Sequence, residues 1–282
     1  MKISENLTKS INHSLKALGY EVEPSTATKN NVTLEGYTLK KIKGYNKVCP
    51  MIYVDGFDTE REVIDFIIAQ TKKETPHFDA EEITTKEYIL ENVMAEVVSA
   101  SSNLVTEDIL YRTFVDLAII YRVKVDDGED GAIGSYVIGK ELAKKAGVTE
   151  EELFEIVSNN KEYRTVTLIG MLGELTEVPD DMLIDDDSDI EMPYVVTNKN
   201  GLYGANVLCT NYLEDVRKQL GGDLAIIPCS VHELIVVKKS DRISVDAIKE
   251  MVVSVNSTCI SAQDKLSDSV YSYDENGLSQ IA

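Results

Sequence analysis

Apolar positions recur along this chain in two rhythms, one near 3.6 residues and one of two. After Ser4, the residues Leu7, Ile11, Leu15 and Leu18 keep helical spacing and Gly19 suits a stop, which predicts a first helix. "NVTLEGYTLKKI", followed by "VCPMIYV", alternates loosely and predicts a small antiparallel sheet. "TEREVIDFIIAQTKK" and "TTKEYILENVMAEVV" return to the helical rhythm, each opened by a threonine able to cap it. Residues 114–125, "FVDLAIIYRVKV", read as a strand with Val115, Leu117, Ile119, Tyr121, Val123 and Val125 on one side. "DDGEDG" is a turn, and "AIGSYVI" is its predicted hairpin partner. In "GVTEEELFEIV", Thr149 and Glu152 have capping-box spacing, and Val148 can staple against Leu153.

The last ninety or so residues repeat both rhythms. "PYVVTN", "ANVLCT", "DLAII" and "ELIVV" are predicted strands, and "VYSYDENG" is a final edge strand running into a turn. Asn211 and Glu214 are spaced as a capping box for "YLEDVRKQL", with Leu213, Val216 and Leu220 on one face and Gly221 as the stop. Ser244 caps "VDAIKEMVVSVN", with Ile243 and Ile248 as staple and Met251, Val252 and Val255 inward. The pattern is α+β: mixed helices with antiparallel hairpins first, then an antiparallel sheet packed by two helices. Domains are expected at 1–178 and 192–282, joined by an acidic linker at 179–191.

Charge changes the picture most. The 282 residues carry 28 basic and 49 acidic side chains, a net of −21. Residues 1–60 hold 8 basic and 7 acidic groups, residues 61–191 hold 12 and 31, and residues 192–282 hold 8 and 11. A field of this sign repels nucleic acid and anionic lipid and attracts basic proteins. "VPDDMLIDDDSDIE" concentrates it, with Asp180, Asp181, Asp185, Asp186, Asp187, Asp189 and Glu191 and no basic residue. The N-terminus lacks the apolar core of a secretory signal, and no apolar stretch reaches bilayer length, so a cytoplasmic protein is expected. Cys49, Cys209, Cys229 and Cys259 lie far apart and read as reduced thiols.

Several short motifs run through the second half: Thr197-Asn198, Gly204-Ala205, then Pro228, Ser230, His232 and Glu233, then Ser267, Asp268, Val270 and Tyr271. In these, and in "FVDLAIIYRV" and "GVTEEELFEIVSNN", the chain resembles a bacterial family of unknown function found in gut anaerobes, sometimes on mobile elements. That family shares T-N, G-A, P-S-S-x-H-E and S-D-x-V-Y/F motifs in this order. Here Cys229 stands where the first serine of P-S-S is usual. The resemblance brings no activity with it.

Candidate chemistry centres on "PCSVHEL". Ser230, His232 and Glu233 are residue types of a hydrolase, with Asn198 and Asp268 as further polar groups, but a dyad needs convergence. If residues 233–237 form a strand, His232 and Glu233 point to opposite faces, and no G-x-S-x-G elbow is present. A hairpin loop whose Ser230 and His232 satisfy backbone groups is favoured. Zinc on Cys229 and His232, with Cys209 and Cys259, fails on spacing. Calcium at Asp185, Asp187 and Asp189 fails because Ile190 and Val196 stand where glycine and glutamate belong. No phosphate-cradling glycine loop occurs, and His13 and His77 stand alone. No cofactor and no metal are therefore expected. The favoured reading is a non-catalytic acidic protein contacting a basic, nucleic-acid-handling partner, in an anti-defence or accessory role. The alternative is a hydrolase-type enzyme using Ser230, His232 and Glu233. A purely structural module of a larger assembly also stays open.

Overall fold

A computed structural model describes residues 2–43, 49–72, 79–126, 134–176, 192–228, 230–240 and 244–282. The chain forms two compact units, Met1–Ile83 and Thr84–Ala282. In the first, helix α1 (Glu5–Leu15) starts where the Leu7 N–H donates to Ser4 Oγ at 3.1 Å. It buries Leu7, Ile11 and Leu15 completely. A 3-10 turn, Lys16–Leu18, continues from it, and Gly19 ends that turn at φ 80°, a left-handed conformation that costs glycine no Cβ clash. Strands β1 (Tyr20–Lys29) and β2 (Val32–Lys41) pair antiparallel from Tyr20↔Lys41 to Lys29↔Val32, and β3 (Met51–Tyr53) adds to β2. Helix α2 (Glu60–Gln70) opens with the Thr59–Glu62 capping box and sends Val63 and Ile67 into the core beside Tyr37, Leu39 and Ile52.

The second unit carries two antiparallel sheets. Helix α3 (Lys86–Asn92) passes directly into strand β4 (Val93–Ser99), so the single helix expected across "TTKEYILENVMAEVV" is corrected. Val97 and Val98 are fully buried on opposite sides of that strand, where β-branched side chains pack well. Strands β5 (Tyr111–Phe114), β6 (Leu117–Asp126) and β7 (Gly134–Val137) complete the first sheet around β6. The strand expected over 114–125 is thus two strands, broken at Val115, which takes φ 46° in a two-residue turn. Leu117, Ile119, Tyr121 and Val123 face one core, as the period of two predicts, while Ala118 and Ile120 are buried on the other face.

Helices α4 (Lys140–Ala146) and α5 (Glu150–Ser158) follow, the latter with the predicted Thr149–Glu152 capping box. Then come β8 (Tyr163–Thr167), α6 (Leu168–Thr176), β9 (Tyr194–Asn198), α7 (Tyr212–Leu220), β10 (Leu224–Ile227), β11 (Glu233–Lys238), α8 (Val245–Thr258), β12 (Tyr271–Asp274) and β13 (Gly277–Gln280). The six-stranded sheet runs β13-β12-β10-β11-β9-β8, antiparallel throughout. One core joins the two sheets, with Val97, Ile119 and Tyr121 meeting Val196, Leu234, Val236 and Tyr271; α8 covers Ala225, Ile227 and Val237 with Ile248 and Val252.

Four further expectations are corrected. Residues of "ANVLCT" form a 3-10 turn, Gly204–Cys209, because buried Asn206 donates to the Ala95 carbonyl and accepts the Tyr163 hydroxyl. Asn211 does not cap α7 with its side chain; the Tyr212 N–H donates to Thr210 Oγ1, and Glu214 pairs with Arg217. Met251 is 51% exposed, and β12 is interior because β13 forms the edge. The two compact units themselves divide between Ile83 and Thr84. Sheet pairing spans the acidic segment, since β8 and β9 are neighbours from Tyr163↔Asn198 to Thr167↔Tyr194. Ile243 and its staple lie outside the described residues, as do Cys229, His77 and residues 177–191.

Candidate functional site

The motif residues of the second half converge where β9 and β11 meet the Gly204–Cys209 turn. Thr197 and Glu233 are register partners at the strand ends. Thr197 Oγ1 donates to the His232 carbonyl at 2.9 Å. Gly204 lies against both: a Cβ there would come 2.3 Å from the His232 carbonyl oxygen, 2.3 Å from Thr197 Oγ1 and 2.8 Å from Asn198 N. Only glycine permits that approach. The Ala205 N–H donates to the Val231 carbonyl at 3.2 Å, fixing the turn against the 228–232 loop.

Within that loop, buried Ser230 accepts the His232 N–H on Oγ at 3.0 Å, a local turn of the kind serine favours. His232 accepts the Tyr203 N–H on Nδ1 at 3.1 Å, and its Nε2 lies 3.4 Å from Asp264 Oδ1. Asn198 closes the neighbouring loop, its side chain accepting the Leu202 N–H at 3.2 Å and donating to the Leu202 carbonyl. Burial pushes the Glu233 carboxyl above its usual range, against the opposing pull of His232 and of a hydrogen bond with Ser230. Asp268 does not join this cluster. Its Oδ1 accepts from Asn256 at 2.8 Å and its Oδ2 pairs with Lys265 at 2.6 Å. Burial pushes its carboxyl up, but these partners together hold it below the usual range.

A second polar knot engages the last motif. Asp116, in the β5–β6 turn, accepts hydroxyls from Ser269 at 2.8 Å, from Ser267 and from Tyr271. Tyr271 is fully buried, and burial, reinforced by the Asp116 carboxylate, raises its hydroxyl pKa. A third knot joins Arg112, bidentate to Glu150, with the buried Tyr121 hydroxyl on the same carboxylate. No sequence pattern pointed to Asp116, Tyr203 or Asp264, because each is separated along the chain from the residues it serves.

Beside the motif cluster, Asn92, Ala95, Asn160, Asn198, Leu202 and Asn206 line a cleft of about 420 Å³. Several of its amides are already engaged: Asn92 donates to the Tyr88 carbonyl, Asn160 accepts the Glu162 N–H, and Asn206 uses both side-chain atoms. Among the described residues, no group of three His, Cys, Asp or Glu side chains is placed to hold a metal. Cys209 is half-buried, and desolvation of its sulfur pushes its thiol up, while Cys259 is exposed. The candidate acidic contact residues Asp180, Asp181, Asp185, Asp186, Asp187, Asp189 and Glu191 all lie outside the described residues. Among the described residues, no helix is long and apolar enough to cross a membrane.

Fold and site define an α+β protein whose sequence motifs fall on interlocking backbone turns. Comparison with protein families matches residues 2–275 to a family of unknown function (DUF5688), and the chain belongs to that family. No curated protein and no solved structure matches it.

Proposed function

We propose that this protein acts by binding rather than by catalysis, offering its negative field to a basic protein partner that handles nucleic acid. The occupation of the motif's reactive atoms supports this most. The Ser230 oxygen receives the His232 N–H, and the Nδ1 lone pair of His232 receives the Tyr203 N–H. A Ser–His dyad would instead place the Ser230 hydroxyl within about 3 Å of a ring nitrogen of His232. The charge adds a second support, since Thr84–Ala282 holds 17 basic against 36 acidic residues while Met1–Ile83 is nearly balanced at 11 and 13. An anti-defence or accessory role on mobile elements suits such a binder. The test is capture by the full chain from native cells, with bound proteins identified at low salt and at about 0.5 M salt, where the screening length shrinks to a few ångströms. Basic nucleic-acid-handling proteins, released by salt, are expected. Capture indifferent to salt, or of acidic proteins, refutes the proposal.

A further inference from the structure

We propose that His232 is a protonation latch on the 199–203 loop, closed by the neutral imidazole and opened by the imidazolium. A backbone N–H can only donate, so the Tyr203 contact requires a lone pair on Nδ1 and places the ring proton on Nε2, facing Asp264. A second proton on the ring removes that lone pair and sets two donors against each other. The loop depends on this bond because its conformation is strained. Tyr203 sits at φ 57° and ψ 26°, in the left-handed region. A non-glycine residue holds such a conformation only where its surroundings impose it. Here the surroundings are His232, the Asn198 side chain on Leu202, and the imidazole ring lying tilted beside the Tyr203 ring at 5.8 Å between centroids.

Charged groups reach the imidazole from each side. Asp264, in the segment before β12, faces Nε2 at 3.4 Å. Glu233 of β11 is adjacent in the chain, and burial favours its protonated form. Arg122 of β6 lies across the Tyr203 ring at 5.5 Å and opposes a second cation, though it is paired with Glu96 of β4 at 2.9 Å. Lys265 is turned to Asp268. Tyr203 contributes its own hydroxyl from the loop. Acidification therefore gives the imidazolium a partner in Asp264 at the moment the Tyr203 N–H loses its acceptor. Asn198 and Leu202 line the cleft, so its wall loosens when the latch opens.

The test uses the full chain at a series of pH values from about 8 to about 5, the range in which histidines commonly titrate. Amide exchange of peptides covering 199–206, corrected for intrinsic pH dependence, is read beside the NMR titration of the His232 ring. Protection is expected to fall about tenfold or more as the ring titrates. His232→Asn, which supplies an oxygen acceptor that does not titrate, removes the pH dependence, and Asp264→Asn moves the transition to lower pH. Protection that stays constant while the ring titrates overturns the latch. So does a ring that stays neutral until the whole chain unfolds, or an unchanged pH response in His232→Asn.

Discussion

Gly204→Ala is the sharpest perturbation of the motif cluster. The added methyl would stand 2.3 Å from the His232 carbonyl oxygen and 2.3 Å from Thr197 Oγ1, far inside contact distance, and two of its three nearest atoms are backbone. Overpacking of this kind costs about 1–3 kcal/mol. Displacing Thr197 also loses its 2.9 Å hydrogen bond to the His232 carbonyl, about 1 kcal/mol more. The expected total is about 2–4 kcal/mol, or roughly 5–15 °C in the midpoint of a unit of this size. Gly56→Ala is the control, because no atom lies within 4 Å of its Cβ position and its φ is not positive. There, loss of unfolded-state freedom alone makes alanine neutral or stabilising by up to about 1 kcal/mol. The chain has 14 tyrosines and no tryptophan, so urea unfolding is followed by far-ultraviolet circular dichroism. Amide exchange of β9 and β11 peptides assigns the loss to the second unit. Equal stabilities for the two variants would refute the reasoning.

Three other outcomes follow from the same contacts. Val115→Gly should stabilise by about 0.5–1 kcal/mol in urea unfolding, since a 47% exposed β-branched residue at φ 46° is strained and gives little burial in return; a loss of stability contradicts the turn geometry. Asp116→Ala should cost about 2–4 kcal/mol by leaving the buried Tyr271 hydroxyl and two serines without their acceptor, and a cost under about 0.5 kcal/mol would count against that knot. Glu233 carries a pKa raised by burial, so its protonated form favours the fold and its contribution is lost as pH rises through the folded value. Glu233→Gln should therefore raise the melting temperature relative to the parent at pH 7, with the gap closing toward about pH 4; a gap independent of pH contradicts burial as the cause.

What the sequence made legible was mostly local. Ser4, Thr59, Thr149 and Ser244 each cap the helix their spacing announced, because a cap and its first turn lie within four residues. Gly19 and Gly221 end their helices in the left-handed conformation for the same reason. Long-range demands hid the rest. Strand β1 buries Val22 alone among its ten residues and contains Pro24, which an edge strand tolerates, so its apolar signal was weak. The switch from α3 to β4 has neither glycine nor proline at Asn92–Val93, and the β-branched Val93, Val97 and Val98 hint at it. In the motif region, the sequence predicts the turn at Ser230, and its serine and histidine do satisfy backbone groups. That Gly204 is the residue pinned beneath it could not be read from spacing, since Thr197, Gly204 and His232 meet only once β9 pairs with β11.

The central claim is that charge, not a reactive cluster, is what the protein presents to its partner. One capture experiment compares the wild type, Ser230→Ala, and a variant with Asp180, Asp181, Asp185, Asp186, Asp187, Asp189 and Glu191 changed to amides. At low salt, Ser230→Ala is expected to retain the basic partner and the amide variant to lose most of it. Retention by the amide variant together with loss in Ser230→Ala would contradict the account.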